Sequence, residues 1–347
     1  MARVLVVNAG SSSLKLSLVA DGDETIATRQ LSASPGGHEL RAALAALGEA
    51  DAVGHRIVHG GERFLEAVQI DPEVESALRE LTGLAPLHQP KSLAALDAIS
   101  EAVPQLPAVA CFDTAFHSTL PPAARTYALP AVWRKRWGLR RYGFHGLSHA
   151  WIARRVPELV GGPVGRIVSC HLGAGASLCA ISGGRSIDTT MGFTPLEGLV
   201  MATRSGSVDP GLLLWLLERE ALSELELARA LEHESGLMGL AGTADMRDLL
   251  ARDDDEARLA LDVYIHRLRS GIAAMVASLG GLDVLAFTGG VGENASEIRD
   301  RAVSGLGFLG LDQDRILVVP AREDLEIARN VREVLDGTAK GVGPSGR

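Results

Sequence analysis

Cysteine is scarce in this chain: three in 347 residues, Cys111, Cys170 and Cys179. The number is odd and no CxxC spacing occurs. Cys111 and Cys170 sit in or end apolar runs, which reads as buried reduced thiols. No long block of Lys and Arg is present and the net charge is −9, so a nucleic-acid surface, which needs a basic stripe for the phosphate backbone, is not expected. A phosphorylated small molecule remains open to such a chain, since it needs only a few cations in a cleft. Long apolar runs are missing too. The longest, Leu212 to Leu217, is far below membrane-spanning length. The first, Val4 to Val7, stops at Asn8, too short for the core of a signal peptide. A soluble, cytoplasmic protein is expected. Chemical signatures are also absent. No GxxxxGK[ST] phosphate loop occurs, and no GxSxG, so a serine triad finds no support. His55 and His59 stand four apart in GHRIVHGGERF (54–64). The glutamate of HExxH is lacking, and the segment reads as a strand with an Ile57–Val58 core.

What is present is an α/β pattern. Hydrophobic content of 46% supports substantial cores without general disorder, and 347 residues argue for two domains. Short Val/Ile/Leu-rich runs read as buried strands: VLVV (4–7), LPAVACF (106–112), RIVSCHL (166–172), DVLAFT (283–288) and RILVVP (315–320). Between them lie helical patterns. Over 255–279, Leu268, Ile272, Met275, Val276 and Leu279 recur at three and four residues. PKSLAALDAISEAV (90–103) starts on a proline at a first helical turn. SELELARALEHESG (223–236) ends on a glycine suited to a C-cap. One resemblance is internal: VLVVNAGSSSLKLSLV (4–19) and RIVSCHLGAGASLCAISGG (166–184) share an apolar run, a polar residue, a small-residue turn and a second strand with Ser. Two similar lobes facing one cleft, or two ordinary glycine hairpins, would both produce it. The closing GTAKGVGPSGR (337–347) lacks periodicity and reads as a loose tail.

Three glycine-rich turns follow strands: NAGSSS (8–13), HLGAGAS (171–177) and TGGVGEN (288–294). Glycine lets backbone amides approach phosphate oxygens. The last also fits GxGxxA through Gly290, Gly292 and Ala295, with Asp312 further on, which would make a dinucleotide-dependent oxidoreductase. That reading leaves both hairpins unexplained. Arg56, before a GG turn, suits an anion clamp. Asp113 lies just past a buried strand, where α/β proteins place site residues or a capping aspartate. His145 lies between Phe144 and Gly146 and reads first as a core histidine, and Arg204 sits in a Gly/Pro loop.

In order along the chain, VLVVNAGSSSLK, GHRIVHGGE, APLHQP, FDTAFHSTLP, RRYGFHGLSH, HLGAGAS, MGFTPLEGL, TRSG, DMRD, TGGVGEN and PAREDLEIA resemble the acetate kinase (acetokinase) family. That family belongs to the acetate and sugar kinase, heat-shock protein and actin superfamily. The resemblance runs from residue 4 to about 330. It implies a two-lobed, actin-like (ribonuclease H-like) duplicated α/β fold with a central cleft. The first lobe would be residues 1–116 plus 323–347, and the second 117–322, with helix 255–279 at a homodimer interface. It implies reversible phosphoryl transfer between ATP and acetate, with Mg²⁺ or alternatively Mn²⁺. Asp113, His145 and Arg204 match the catalytic positions. Arg56 matches the carboxylate grip, and Val58, Leu87, Phe144 and Pro195 the apolar pocket for the methyl group. Lys15, His171, Leu172, Gly173, Ala174 and Gly175 match nucleotide positions, as do Asp245, Met246, Arg247, Gly289, Gly290, Val291, Gly292 and Glu293. Asn8 and Glu323 match the metal-holding positions. The chain departs from the family in Ala174, where an asparagine is usual, in Arg322 before Glu323, and in a compressed stretch between residues 20 and 50. A propionate or other short-chain acyl kinase, and a non-catalytic nucleotide-binding member, are the neighbouring readings.

Overall fold

The computed structural model describes residues 2–10, 13–85, 89–219 and 222–337. Leu87 and the tail 338–347 lie outside the described residues. The chain divides into two compact units. The first comprises Met1–Phe116, Gly146–Trp151 and Arg322–Arg347, the second His117–His145 and Ile152–Ala321.

The first unit is built on six strands: β1 (Val4–Ala9), β2 (Ser13–Ala20), β3 (Glu24–Ser32), β4 (Ala52–Ile57), β5 (Val68–Gln69) and β6 (Ala108–Phe112). Their order is β3-β2-β1-β4-β6-β5. The first three form an antiparallel meander, and β1, β4 and β6 run parallel. Val4 to Val7 are all buried, the unbroken apolar run expected of a strand covered on both faces. One core cluster joins Leu5, Val7, Leu16 and Leu18 to Leu40 and Leu47 of helix Gly37–Leu47 and Ile99 of helix Gln89–Ala102. Helix Glu323–Leu335 packs on β1, β4 and β6. It comes so close at Gly54 that a Cβ there would lie 2.6 Å from Ile327 Cγ2 and 2.7 Å from Val331 Cγ2. That close approach fixes the helix whose first residue is Glu323.

The second unit has β7 (Arg166–Leu172), β8 (Ala176–Ser182), β9 (Arg185–Thr189), β10 (Val284–Thr288) and β11 (Ile316–Val318), ordered β11-β10-β7-β8-β9. Again the first three form an antiparallel meander, with β7, β10 and β11 parallel. Counting from each unit's first strand, both sheets share the order 3-2-1-4 followed by one more parallel strand, and the first adds the short antiparallel β5 at its edge, so the resemblance between the hairpins reflects a duplicated α/β fold. Even an irregularity repeats. The meander is bulged between Leu18 and Val19 in one unit and between Ala180 and Ile181 in the other. By this register Asn8 paired with Lys15 corresponds to His171 paired with Ser177. Helix Asp255–Leu279 lays Leu261, Ile265, Leu268, Ile272 and Met275 against the unit's core, as its periodicity predicts. It is capped by Asp254, which accepts from the Ala257 N–H at 2.9 Å.

Two local expectations change. The stretch 223–236 is not one helix ending at a glycine cap. Helix Glu224–Arg229 passes into a π turn, Ala230–Glu234, and Gly236 opens a new helix, Gly236–Ala241. Glycine is demanded there by a close approach: a Cβ would lie 2.1 Å from the Met201 carbonyl oxygen and 2.6 Å from that of Arg204. TGGVGEN is not a glycine turn either. It folds as helix Gly289–Asn294, begun by Gly289 at φ 80°, whose Cβ would meet the Leu172 carbonyl oxygen at 2.7 Å. No helix among the described residues is long and apolar enough to cross a membrane.

Candidate active site

In the first unit the site residues stand at the ends of adjacent strands. Asn8 and Arg56 lie on β1 and β4, and Asp113 follows β6. Their side chains form one relay. Glu323 Oε2 accepts from Asn8 Nδ2 at 3.0 Å, and Asn8 Oδ1 accepts from Arg56 Nη1 at 3.0 Å. Arg56 Nε donates to both Asp113 oxygens at 3.1 Å, and Nη2 donates to Oδ2 at 2.6 Å. The Asp113 side chain is 2% exposed and that of Arg56 16%. Burial pushes the Asp113 carboxyl above the usual carboxylate range; the Arg56 guanidinium opposes this and Glu323 adds to it. For Arg56, burial works against the charge, but Asp113 and then Glu323 more than offset it and hold the guanidinium protonated. Lys15 is exposed and lies opposite Asn8 across the hairpin, hence on the same face. Val58 is buried in this unit. Among the described residues no cluster of three or more His, Cys, Asp or Glu side chains suits a metal.

In the second unit His145, His171 and Arg204 converge on the second hairpin. His145 is the only non-glycine residue with positive φ among the described residues, at 56°. Such a backbone costs about 1–3 kcal/mol and persists where the surroundings impose it. Its Nδ1 is 2.9 Å from Ser177 Oγ, and its ring lies 4.4 Å, centroid to centroid, from that of His171. A Cβ on Gly175 would lie 3.2 Å from His145 Nε2 and 3.4 Å from Arg204 Nη1, so this turn needs glycine for both side chains to approach. Arg204 donates through Nη1 to the Pro195 carbonyl at 3.2 Å and sets Nε 3.3 Å from Glu232 Oε2. Phe144 and Pro195 are buried.

The loop carrying Pro195 is braced from below. Glu197 accepts from Tyr127 Oη at 2.5 Å and from Arg141 Nη2 at 2.8 Å, and Arg141 also donates to the Met191 carbonyl at 2.9 Å.

Beside the hairpin lies a cavity of about 740 Å³, a size usual for small-molecule sites. Gly173, Ala174, Asp245, Met246, Arg247, Gly290 and Val291 of the predicted nucleotide residues line it. Gly173 closes the turn through its N–H to the Gly175 carbonyl, 2.9 Å, while the Ala174 carbonyl accepts from Ala202 N–H at 3.1 Å. Asp245 caps helix Met246–Leu250, and hydrogen bonds from the Arg247 side chain and N–H hold its pKa down to about 2. Glu293 turns inward: its Oε1 accepts from the Gly289 and Ala321 N–H groups at 3.0 and 2.9 Å. Leu172 is buried at the end of β7, and Gly289 and Gly292 are buried in the following helix.

Sequence reading missed several contributors. Ser177 closes HLGAGAS, where nothing distinguishes it from the other small residues of the turn. Glu232 lies in a stretch with an ordinary helical pattern, and Ala202, Leu237 and Tyr264 line the cavity from segments carrying no chemical signature.

The acetokinase family model matches residues 37–329. The acetate kinase of Leifsonia xyli is 46% identical over 394 aligned positions, covering 96% of this chain and 99% of that protein. Among solved structures, Porphyromonas gingivalis acetate kinase superposes with a TM-score of 0.87 at 34% identity, covering 96% of this chain and 100% of that one. A propionate kinase from Francisella tularensis reaches 0.89 at 32% identity, covering 95% and 99%. With most of its length matched and its fold shared at this level, the chain belongs to the acetokinase family.

Proposed function

We propose that this chain catalyses reversible phosphoryl transfer between ATP and acetate, giving acetyl phosphate and ADP. The observation that carries the reading is the relay Glu323–Asn8–Arg56–Asp113 at the strand ends, in which a buried carboxylate fixes one face of an arginine. A binding protein has no need of a clamp with that much buried charge, whereas phosphoryl transfer depends on preorganised charge more than on covalent chemistry. An acetate oxygen attacks the γ-phosphorus in line, forming the new P–O bond. The bond to the bridging oxygen breaks and its electron pair leaves on ADP.

Arg56 grips the acyl carboxylate, with Asp113 holding its guanidinium, and Val58, Leu87, Phe144 and Pro195 carry over from the family resemblance as the residues that favour the methyl group. Arg204 and His145 stabilise charge on the equatorial oxygens. His145 Nδ1 pairs with the Ser177 hydroxyl, which leaves Nε2 as the nitrogen beside Gly175. Lys15 meets nucleotide phosphate, and the cavity at Gly173, Asp245 and Gly290 takes the rest of the nucleotide. The first unit, with helix Glu323–Leu335, is thereby the acyl side and the second the nucleotide side.

Asn8 and Glu323 stand side by side, with the Asn8 Nδ2 toward the carboxylate and Oδ1 toward Arg56; with the amide turned over, the pair would present two hard oxygens of the kind Mg²⁺ takes together with water and phosphate. These two residues would hold Mg²⁺, or Mn²⁺ in its place, which when bound neutralises phosphate charge. ATP and a free carboxylate are cytoplasmic substrates, and we place the enzyme there. We also propose a homodimer. Helix Pro210–Glu218 has no buried residue and leaves Leu212, Leu214 and Trp215 about half exposed, at 48, 59 and 51%, an apolar face of the kind an interface covers.

The test traps acyl phosphate with hydroxylamine from ATP and Mg²⁺ with acetate, propionate and butyrate in parallel. Acetate should give product, and Arg56→Ala and Arg204→Ala should each lower the rate ~100–1,000-fold. One extra methylene changes binding by only ~1–3 kcal/mol, so propionate should follow acetate. Folded protein that binds ATP yet forms no acyl phosphate with any acid would refute the assignment.

A further inference from the structure

We infer that Glu232 is a positioning residue for Arg204, presented to it by the π turn Ala230–Glu234. π turns are rare insertions found disproportionately at functional sites, and this one is tied to the arginine's loop from both sides. Thr203 Oγ1 donates to the Glu232 carbonyl at 2.9 Å and Ser205 N–H to the Leu231 carbonyl at 3.1 Å. In return Ser235 N–H donates to the Thr203 carbonyl at 3.0 Å, while Ser235 Oγ closes the turn on the Ala230 carbonyl at 2.7 Å. The extra residue of the turn rotates Glu232 inward, so its carboxylate reaches Arg204 Nε at 3.3 Å.

Both side chains of this pair are withdrawn from water, 17% exposed for Arg204 and 11% for Glu232. That separates it from the surface ion pairs elsewhere on the chain, which contribute little. Its geometry is what matters. Glu232 holds the guanidinium at Nε, the Pro195 carbonyl holds Nη1, and between them the plane of the fork is set beside Gly175 and the His145 ring. An arginine held at both Nε and Nη1 keeps its orientation as substrate arrives. A long side chain without that tie would have to be ordered in each turnover.

The inference rests on Arg204 acting on the transferring phosphoryl group, and the experiment separates the two ideas. Glu232→Gln keeps the shape of the side chain and removes its charge. Steady-state kinetics should show kcat about 10- to 100-fold lower and KM values for acetate and ATP within about threefold, measured at a temperature where the variant, which loses one charge of a largely buried pair, is still fully folded. Glu232→Asp, which retains the charge one methylene shorter, should recover part of the loss and serves if the glutamine variant does not fold. In an Arg204→Ala background, Glu232→Gln should have no further effect on kcat, because both act through one group. A Glu232→Gln enzyme with wild-type kcat, or losses that multiply in the double variant, would overturn the positioning role. If Arg204→Ala itself retains full kcat, the reading of Arg204 fails instead.

Discussion

Arg56→Ala should unfold the first unit more readily in a way that depends on pH with a defined sign. Both Asp113 oxygens accept from Arg56, and the carboxylate is almost wholly withdrawn from water. Removing one member of a buried ion pair strands the other charge and costs about 3–5 kcal/mol. At about 2–4 °C per kcal/mol for a domain of this size, the melting temperature at pH 8 should fall by about 6–20 °C. Burial already raises the Asp113 carboxyl, and Arg56 opposes that rise. Without the arginine, the folded carboxyl binds its proton still more tightly than the unfolded one, whose ordinary value is about 3.9. A raised carboxyl contributes stability that is full below the unfolded value and is lost as pH climbs through the folded one. The gap between wild type and variant should therefore be small near pH 4 and widen toward pH 8. Differential scanning fluorimetry on both proteins across that range measures it, and using the difference cancels every group the two share. Arg56→Met combined with Asp113→Asn should recover most of the stability while acyl phosphate formation stays lost. A drop below 1 °C at pH 8, or a gap independent of pH, would refute the argument.

Two further outcomes follow from the same kind of reasoning. Burial, the leading cause in each case, holds His55, His59 and His117 at a pKa of about 4. Their contribution is complete above about 6.5 and lost as pH falls from there toward 4. With three sites the stability curve should steepen toward ~4 kcal/mol per pH unit in that window, which pH-dependent urea melts would show. Gly54→Ala would drive a Cβ against Ile327 and Val331. Overpacking of this kind costs about 1–3 kcal/mol. Because the displaced helix carries Glu323, the variant should also need more Mg²⁺ for half-maximal activity, read by titrating the metal.

The sequence made legible what is local. Val4 to Val7 and 284–288 are short Val/Leu-rich runs bounded by polar residues and glycine, and both are buried central strands. The 255–279 helix carries its period over enough turns to be unmistakable. Asn8, Arg56 and Asp113 were legible as strand-end residues, and the structure brings their side chains together. The remainder is set by contacts distant in sequence. Glu323 meets Asn8 across 315 positions, which no periodicity encodes. Glu232 sits in a run with ordinary helix-forming residues, and only the docking of Ser235 and Gly236 on the 201–204 backbone turns that run into a π turn. TGGVGEN has glycines enough for a loop, yet Glu293 reaching back to the Gly289 N–H nucleates a helix instead.

The repeated bulge bears on how this protein arose. An extra residue on the third strand of each meander, opposite the step from Leu18 to Val19 in one and from Ala180 to Ile181 in the other, is more specific than a shared strand order, since bulges are retained as features of a family rather than acquired at will. A kink at the same place in both halves is what the copying and joining of one ancestral half would leave. On that account Asn8 and His171 occupy one inherited position, as do Lys15 and Ser177. An amide with an ammonium in one copy, and an imidazole with a hydroxyl in the other, are two divergent occupations of a single inherited hairpin.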